Sequence, residues 1–164
     1  MNFFSNFFKK DPSKQDEDKS NSKFLPKKKA VIEERFILKF IENGGKFLYC
    51  ESLEEVQENF KLILNENEWT NYDILIINSN LKKQYKLDGN FSSSLEDTKC
   101  FLTDCENLIA SDGSILISSN QIHEKKLQEF PKSLIIISDT TKLKNTISEG
   151  LSEIKSKSKS IPTN

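Results

Sequence analysis

Three short stretches of hydroxyl and amide residues hold most of the polar chemistry of this chain: Asn78-Ser79-Asn80, Ser118-Ser119-Asn120-Gln121 and Ser138-Asp139-Thr140-Thr141. Each follows an apolar run, so each falls where a strand is expected to end. In a parallel sheet that edge is where ligands bind, because helix N-termini offer free N–H groups and the positive end of the helix dipole. Asn78, Ser118, Asn120, Asp139 and Thr140 are therefore candidate ligand-binding residues for a small anionic or phosphorylated molecule. The same residue types are also the ordinary cap and turn formers, which satisfy backbone N–H groups without any ligand.

Nucleophilic and metal chemistry find fewer carriers. There is no P-loop, no Gly-x-Gly-x-x-Gly and no His-Glu-x-x-His. The single histidine, His123, lies in a Gln-Ile-His-Glu-Lys-Lys run that reads as exposed, so no Ser-His-Asp set has a local signature. Cys50, Cys100 and Cys105 are too few for a four-cysteine site and one of them is remote. They are expected to be structural thiols, with no metal and no cofactor bound by this chain. The adjacent Glu54 and Glu55 read as a solvated helix face, and no catalytic residue is assigned.

The elements that would position the polar stretches follow from apolar spacing. Phe36, Ile37, Phe40 and Ile41 recur at helical intervals and stop at Asn43-Gly44-Gly45, where Gly44 can adopt the left-handed conformation that ends a helix. Lys46 to Cys50 reads as a strand. Ser52-Leu53-Glu54-Glu55 fits a capping box opening a helix with Leu53, Val56, Phe60 and Ile63 inward, closed by Trp69 in the core. Asp73 to Asn78 is a continuous apolar run, the pattern of a strand covered on both faces. Phe101 to Ala110 reads as a short strand, a turn begun by Thr103 or Asp104, and the first arm of a hairpin. Asp112-Gly113 between two apolar runs predicts a two-residue type I′ turn. Glu124 to Phe130 reads as a short helix and Leu134 to Ile137 as a second buried strand. Ser138 to Thr141 would then cap a last helix with Leu143, Ile147, Leu151 and Ile154 inward. Alternating helices and strands imply a parallel sheet built from βαβ units, an α/β fold.

Length and charge bound the organisation. The 164 residues suit one domain of ordinary size over residues 31–155, preceded by a 1–30 arm and followed by a polar 156–164 tail. Phe3, Phe4, Phe7 and Phe8 would gather on one side of a short helical turn, as a docking or membrane-surface peptide or as a segment folding back on its own domain. Asp11 to Lys29 reads as a disordered tether. Residues 31–154 carry thirteen basic and twenty-one acidic side chains, which argues against nucleic acid as a partner. There is no signal peptide and no apolar run long enough for a transmembrane segment, so a reducing, cytoplasmic compartment is expected.

One series of motifs carries a resemblance. Ala110-Ser111-Asp112-Gly113-Ser114 with the aliphatic residues after it resembles the Ala-Glu-Thr-Gly-Thr signature of the LUD-domain family, the lactate utilization proteins of the C type. Phe130-Pro131-Lys132-Ser133 and the strand after it resemble the family's Leu-Pro-x-x element, and Ile147-Ser148-Glu149-Gly150-Leu151 its following helix. Together these cover residues 35–154. Ser111 and Asp112 stand where the family carries Glu and Thr. The resemblance implies a three-layer sheet with helices on both faces, like the NagB/RpiA/CoA transferase-like fold. It implies an accessory role in oxidising L-lactate to pyruvate, in complex with iron–sulfur subunits or as a homo-oligomer. It also brings Asp112, Gly113 and Ser114 into the candidate ligand-binding set. Family members continue into further strands past the position of Asn164, so a shortened member is expected to expose an unpaired sheet edge. Two other readings stay open: a small-molecule-binding enzyme of the isomerase or cyclo-ligase type, and a non-catalytic interaction module.

Overall fold

A computed structural model describes residues 31–159 except residue 124, with side chains described to residue 156. The Phe-rich peptide, the basic tether and the end of the tail lie outside the described residues.

Helix α1 (Ile32–Glu42) turns Phe36 and half-buried Phe40 inward, their rings stacked at 5.6 Å. Ile41, expected inside, is exposed. Helix α2 (Leu53–Glu66) starts at the predicted cap, with Glu55 N–H donating to Ser52 Oγ, but the Glu55 carboxylate accepts from Glu51 N–H, one residue before the cap, so the reciprocal bond of the expected capping box is not made. Its buried row is Phe60 and Leu64, flanked by Leu53, Val56 and Ile63.

Helices α1, α2 and α3 (Ser79–Gln84) all end in the same paired bond pattern, with the residue past the cap in the left-handed region. Gly44 takes that position with φ +89°, while Glu68 (φ 55°) and Lys86 (φ 46°) take it after α2 and α3. The closing bonds run from Gly45 to Phe40, Trp69 to Leu64 and Leu87 to Lys82. This Schellman arrangement satisfies the last carbonyls of each helix.

The fold is mixed α/β, and its strands form two three-stranded sheets among the described residues. The first is parallel, ordered β1 (Ile74–Leu75), β2 (Cys100–Thr103), β5 (Ser133–Ile136), with Leu75 bridged to Ser92 on the far side of β1. One of its faces packs Ile74, Ile76, Cys100 and Leu102 against Phe60 and Leu64 of α2. The other packs Leu75 and Phe101 against Phe130, with Ile122 of α4 (Ser119–Ile122) beside them. β2 is buried at every position, as a central strand covered on both faces must be.

The second sheet is ordered β4 (Ser114–Leu116), β3 (Asn107–Ile109), β6 (Leu143–Lys144). β3 is antiparallel to β4 and parallel to β6. Phe36 of α1 packs with Leu108 and Ala110, whereas α5 (Ile147–Lys159) approaches through Gly150, close to Leu116 and Ile109.

Several expectations are corrected. Lys46 to Cys50 is irregular: Phe47 packs under α1, but Leu48 and Tyr49 stay exposed, and among the described residues no strand pairs with the segment. In place of one helix over residues 124–130 there is α4, earlier in the chain, and a 3₁₀ turn at Leu127–Glu129. Leu134 on β5 is 40% exposed, because β5 is an edge strand. Asp139 caps a 3₁₀ turn over Thr140–Lys142, and Leu143 belongs to β6 rather than to the last helix. On α5 the inward residues are Gly150, Glu153 and Ile154, while Ile147 and Leu151 are exposed. Gly150 has no side chain to hold the helix off the hairpin, and this sets the rotation of α5.

Candidate functional site

Three residues, Asp104-Cys105-Glu106, join the two sheets at the carboxyl end of the central parallel strand β2. Their side chains organise the polar groups around them. The Lys142 ammonium lies 3.5 Å from Asp104 Oδ2 and donates to the Cys105 carbonyl at 2.5 Å, so it ties the segment before β6 to the joint. Both partners of the ion pair are partly buried, at 28% and 24% side-chain exposure. Gln121 donates to Asp104 Oδ1 at 3.4 Å and, through Oε1, accepts from Ser118 N–H at 2.9 Å.

Ser118 Oγ lies 2.6 Å from Glu106 Oε1 and 3.2 Å from Gln121 Oε1. One hydroxyl has one proton, and the shorter contact assigns it to Glu106. Asn120 reaches the same Glu106 oxygen at 2.8 Å. Glu106 is thus held from two positions of the α4 entry, and its charge is spread over two donors.

Tyr85 lies within electrostatic reach. Its phenol is pushed upward from the ordinary value, first by burial and then by Asp139 and Asp104. Asp139 is held lower, by the Thr141 hydroxyl first, opposed by burial and helped by the Thr141 amide and Lys142. The Cys105 thiol donates to Ser138 Oγ at 3.3 Å, and burial pushes it up. Burial likewise pushes Cys100 up to about 12. The edge therefore sets one ammonium among the carboxylates of Asp104, Glu106 and Asp139. With Lys142 already engaged by Asp104 and the Cys105 carbonyl, the edge is acidic on balance, and it offers a polar ligand a row of amides, hydroxyls and carboxylates.

The structure divides the sequence-derived candidates. Ser118 and Asn120 meet at Glu106, and Asp139 with Thr140 flanks Lys142 in the next turn. Asn78 stands at the end of the β1 segment, where its side chain accepts from Asn80 N–H and caps α3. Asp112, Gly113 and Ser114 sit at the opposite end of the hairpin, roughly 10 Å away along three strand residues. There Asp112 Oδ1 accepts from Ser114 N–H at 2.9 Å and from Ser114 Oγ at 2.6 Å, and the Asp112 carbonyl accepts from Asn43 at 2.7 Å.

That turn differs from the expected type I′. Ile109 pairs with Ser114, so four residues make the loop, and Gly113 has φ +74° while Asp112 does not enter the left-handed region. The bond from Gly113 N–H to the Ile109 carbonyl closes it, the geometry of a four-residue hairpin loop.

Asp104, Glu106, Gln121, Lys142 and Tyr85 did not stand out as site residues in the sequence. Asp104 and Glu106 were nevertheless findable, since they follow the buried run Cys100–Thr103 as directly as Asn78 follows its own. Among the described residues no group of three or more His, Cys, Asp or Glu side chains is placed to hold a metal ion. No helix of the described residues is long and apolar enough to cross a membrane. In comparisons with protein-family models, curated proteins and solved structures, nothing matches this chain.

Proposed function

We propose that the chain is a LUD-domain-like protein with a three-layer NagB/RpiA/CoA transferase-like arrangement, serving as an accessory component of L-lactate utilization. In this reading iron–sulfur subunits carry the electrons and this chain contributes a polar strand edge to a small ligand. The observation that carries it is the mutual packing of the segments bearing the resemblance. The β3–β4 hairpin, β6 and α5 form one packed unit, and β5 lies beside β2 at the entrance to it. The thiols fit a role without a redox centre of its own, because Cys100 and Cys105 are buried in the packed interior.

The test is growth of the native host on L-lactate as sole carbon source after deletion of the coding sequence. Loss of growth restored by the wild-type chain is expected, with co-purification of iron–sulfur proteins. Unimpaired growth on lactate would overturn the reading.

A small-molecule enzyme of the isomerase or cyclo-ligase type is the second reading. It is favoured by the Asp104–Lys142 pair beside the half-buried Tyr85 phenol. Turnover abolished by Lys142→Met in a folded protein would support it.

A further inference from the structure

Among the described residues, strand β5 bounds the parallel sheet with one edge unpaired. Its register with β2 and the bond from Ile137 N–H to the Thr103 carbonyl at 3.0 Å show that the odd-numbered residues turn their backbone groups toward β2. The N–H and C=O groups of Leu134 and Ile136 therefore face outward, and neither residue has a backbone partner on that side among the described residues.

Exposed edges of this kind are normally blunted by charge, proline or a bulge. From Ser133 to Ser138 there is neither charge nor proline, and Leu134 leaves 40% of its surface exposed. The charges stand just outside, with opposite sign at the two ends: Lys132 before the strand and Asp139 after it, both exposed.

We propose that β5 is a self-association edge, on which two copies of this chain pair antiparallel about a two-fold axis through Ile135 to make one continuous six-stranded sheet. That register sets Leu134 opposite Ile136 of the partner subunit, and Ile136 opposite Leu134 of the partner subunit. These are the residues whose backbone groups face outward, so four hydrogen bonds form without disturbing the ladder to β2. The same register lays the basic end of each strand, at Lys132, alongside the acidic end of the other, at Asp139 of the partner subunit, with the two side chains on opposite faces of the sheet and the attraction acting between the strand ends. The unequal charges at the two ends of the strand are what select a second copy, because an antiparallel self-pair sets opposite charges together at both ends and a two-fold contact closes on itself, using the β5 edge of both copies. The interface goes beyond the proposed lactate role and does not depend on it.

Sedimentation of the full chain across micromolar concentrations tests it, together with amide exchange at Leu134 and Ile136. The wild type is expected to pass from monomer to dimer, with both amides slowing as concentration rises. Leu134→Pro removes one outward N–H and leaves the β2 ladder intact, and Leu134→Lys places a charge on the edge. Both are expected to be monomeric with unchanged circular dichroism. Lys132→Glu should weaken the dimer roughly three- to tenfold. A wild type monomeric throughout, a dimer indifferent to both Leu134 variants, or amides protected equally at every concentration would each overturn the proposal.

Discussion

The backbone of Lys39 occupies the space into which a side chain on Gly113 would grow. A β-carbon built on Gly113 falls 2.5 Å from the Lys39 carbonyl carbon and 2.5 Å from the Phe40 nitrogen. The hairpin loop thus rests directly on the last turns of α1, and neither partner has a side chain there to move aside.

Replacing Gly113 by Val should accordingly destabilise the protein by at least the 1–3 kcal/mol of a side chain forced into the left-handed region, about 3–5 °C in Tm per kcal/mol. Thermal melting checks it, and an unchanged Tm would remove the close approach. Gly150→Ala is the contrast. There the nearest atom is the Leu116 Cδ1 at 2.7 Å, the end of a movable side chain, and alanine favours the helix by about 1 kcal/mol. Its Tm should stay within a few degrees of the parent.

Glu68 and Lys86 hold the left-handed position that Gly44 holds after α1. Glu68→Gly and Lys86→Gly should each stabilise by up to about 1 kcal/mol, since the strained φ then costs little. A lower Tm in both variants would contradict the helix ends described.

Asp73 accepts from Thr70 N–H and Oγ1 and faces Lys99, and these contacts hold its carboxyl at about 2 against an ordinary 3.8, the Thr70 amide contributing most. A group whose folded value is depressed contributes stability above its unfolded value and loses it as pH falls through the folded one. Acid melts should therefore show the parent losing its advantage over Asp73→Asn between pH 4 and pH 2. Parallel curves through that window would refute the contacts.

Thiol accessibility gives a chemical test. Cys50 is partly exposed, whereas Cys100 and Cys105 are buried with raised thiols. A disulfide reagent at neutral pH should modify one thiol promptly in the native protein and all three after denaturation. Prompt reaction of two or more would contradict the burial of β2 and the joint.

What the sequence made legible was local. Ser52, Gly44, and the apolar runs at Ile74, Phe101 and Leu134 each carry their structure within a few residues, because caps and strand patterns depend on immediate neighbours. What it hid depends on contacts distant in the chain. The division into two sheets rests on β6 joining β3, and Leu143-Lys144 is too short to announce a strand. The rotation of α5 follows from Gly150 meeting Leu116. Gly113 is legible as a turn glycine, but the loop is two residues longer than the Asp-Gly pair implies because Ala110 and Ser111 bond to Lys144 and Asn145 across the sheet. Lys142, which the geometry makes central to the candidate site, is an unremarkable lysine until the chain is folded.

The joint also has a kinetic consequence. Cys105 meets Ser138 across 33 residues and Asn107 meets Lys142 across 35, so both sheets close essentially the same long loop. Bringing the ends of such a loop together costs about 3 kcal/mol of chain entropy, a cost that grows only with the logarithm of loop length. Once β5 has found β2, β6 is already beside β3 and its pairing meets only the small residual loop. The two sheets should therefore assemble as a single cooperative event, with the parallel pairing of β2 and β5 as the step that sets the rate.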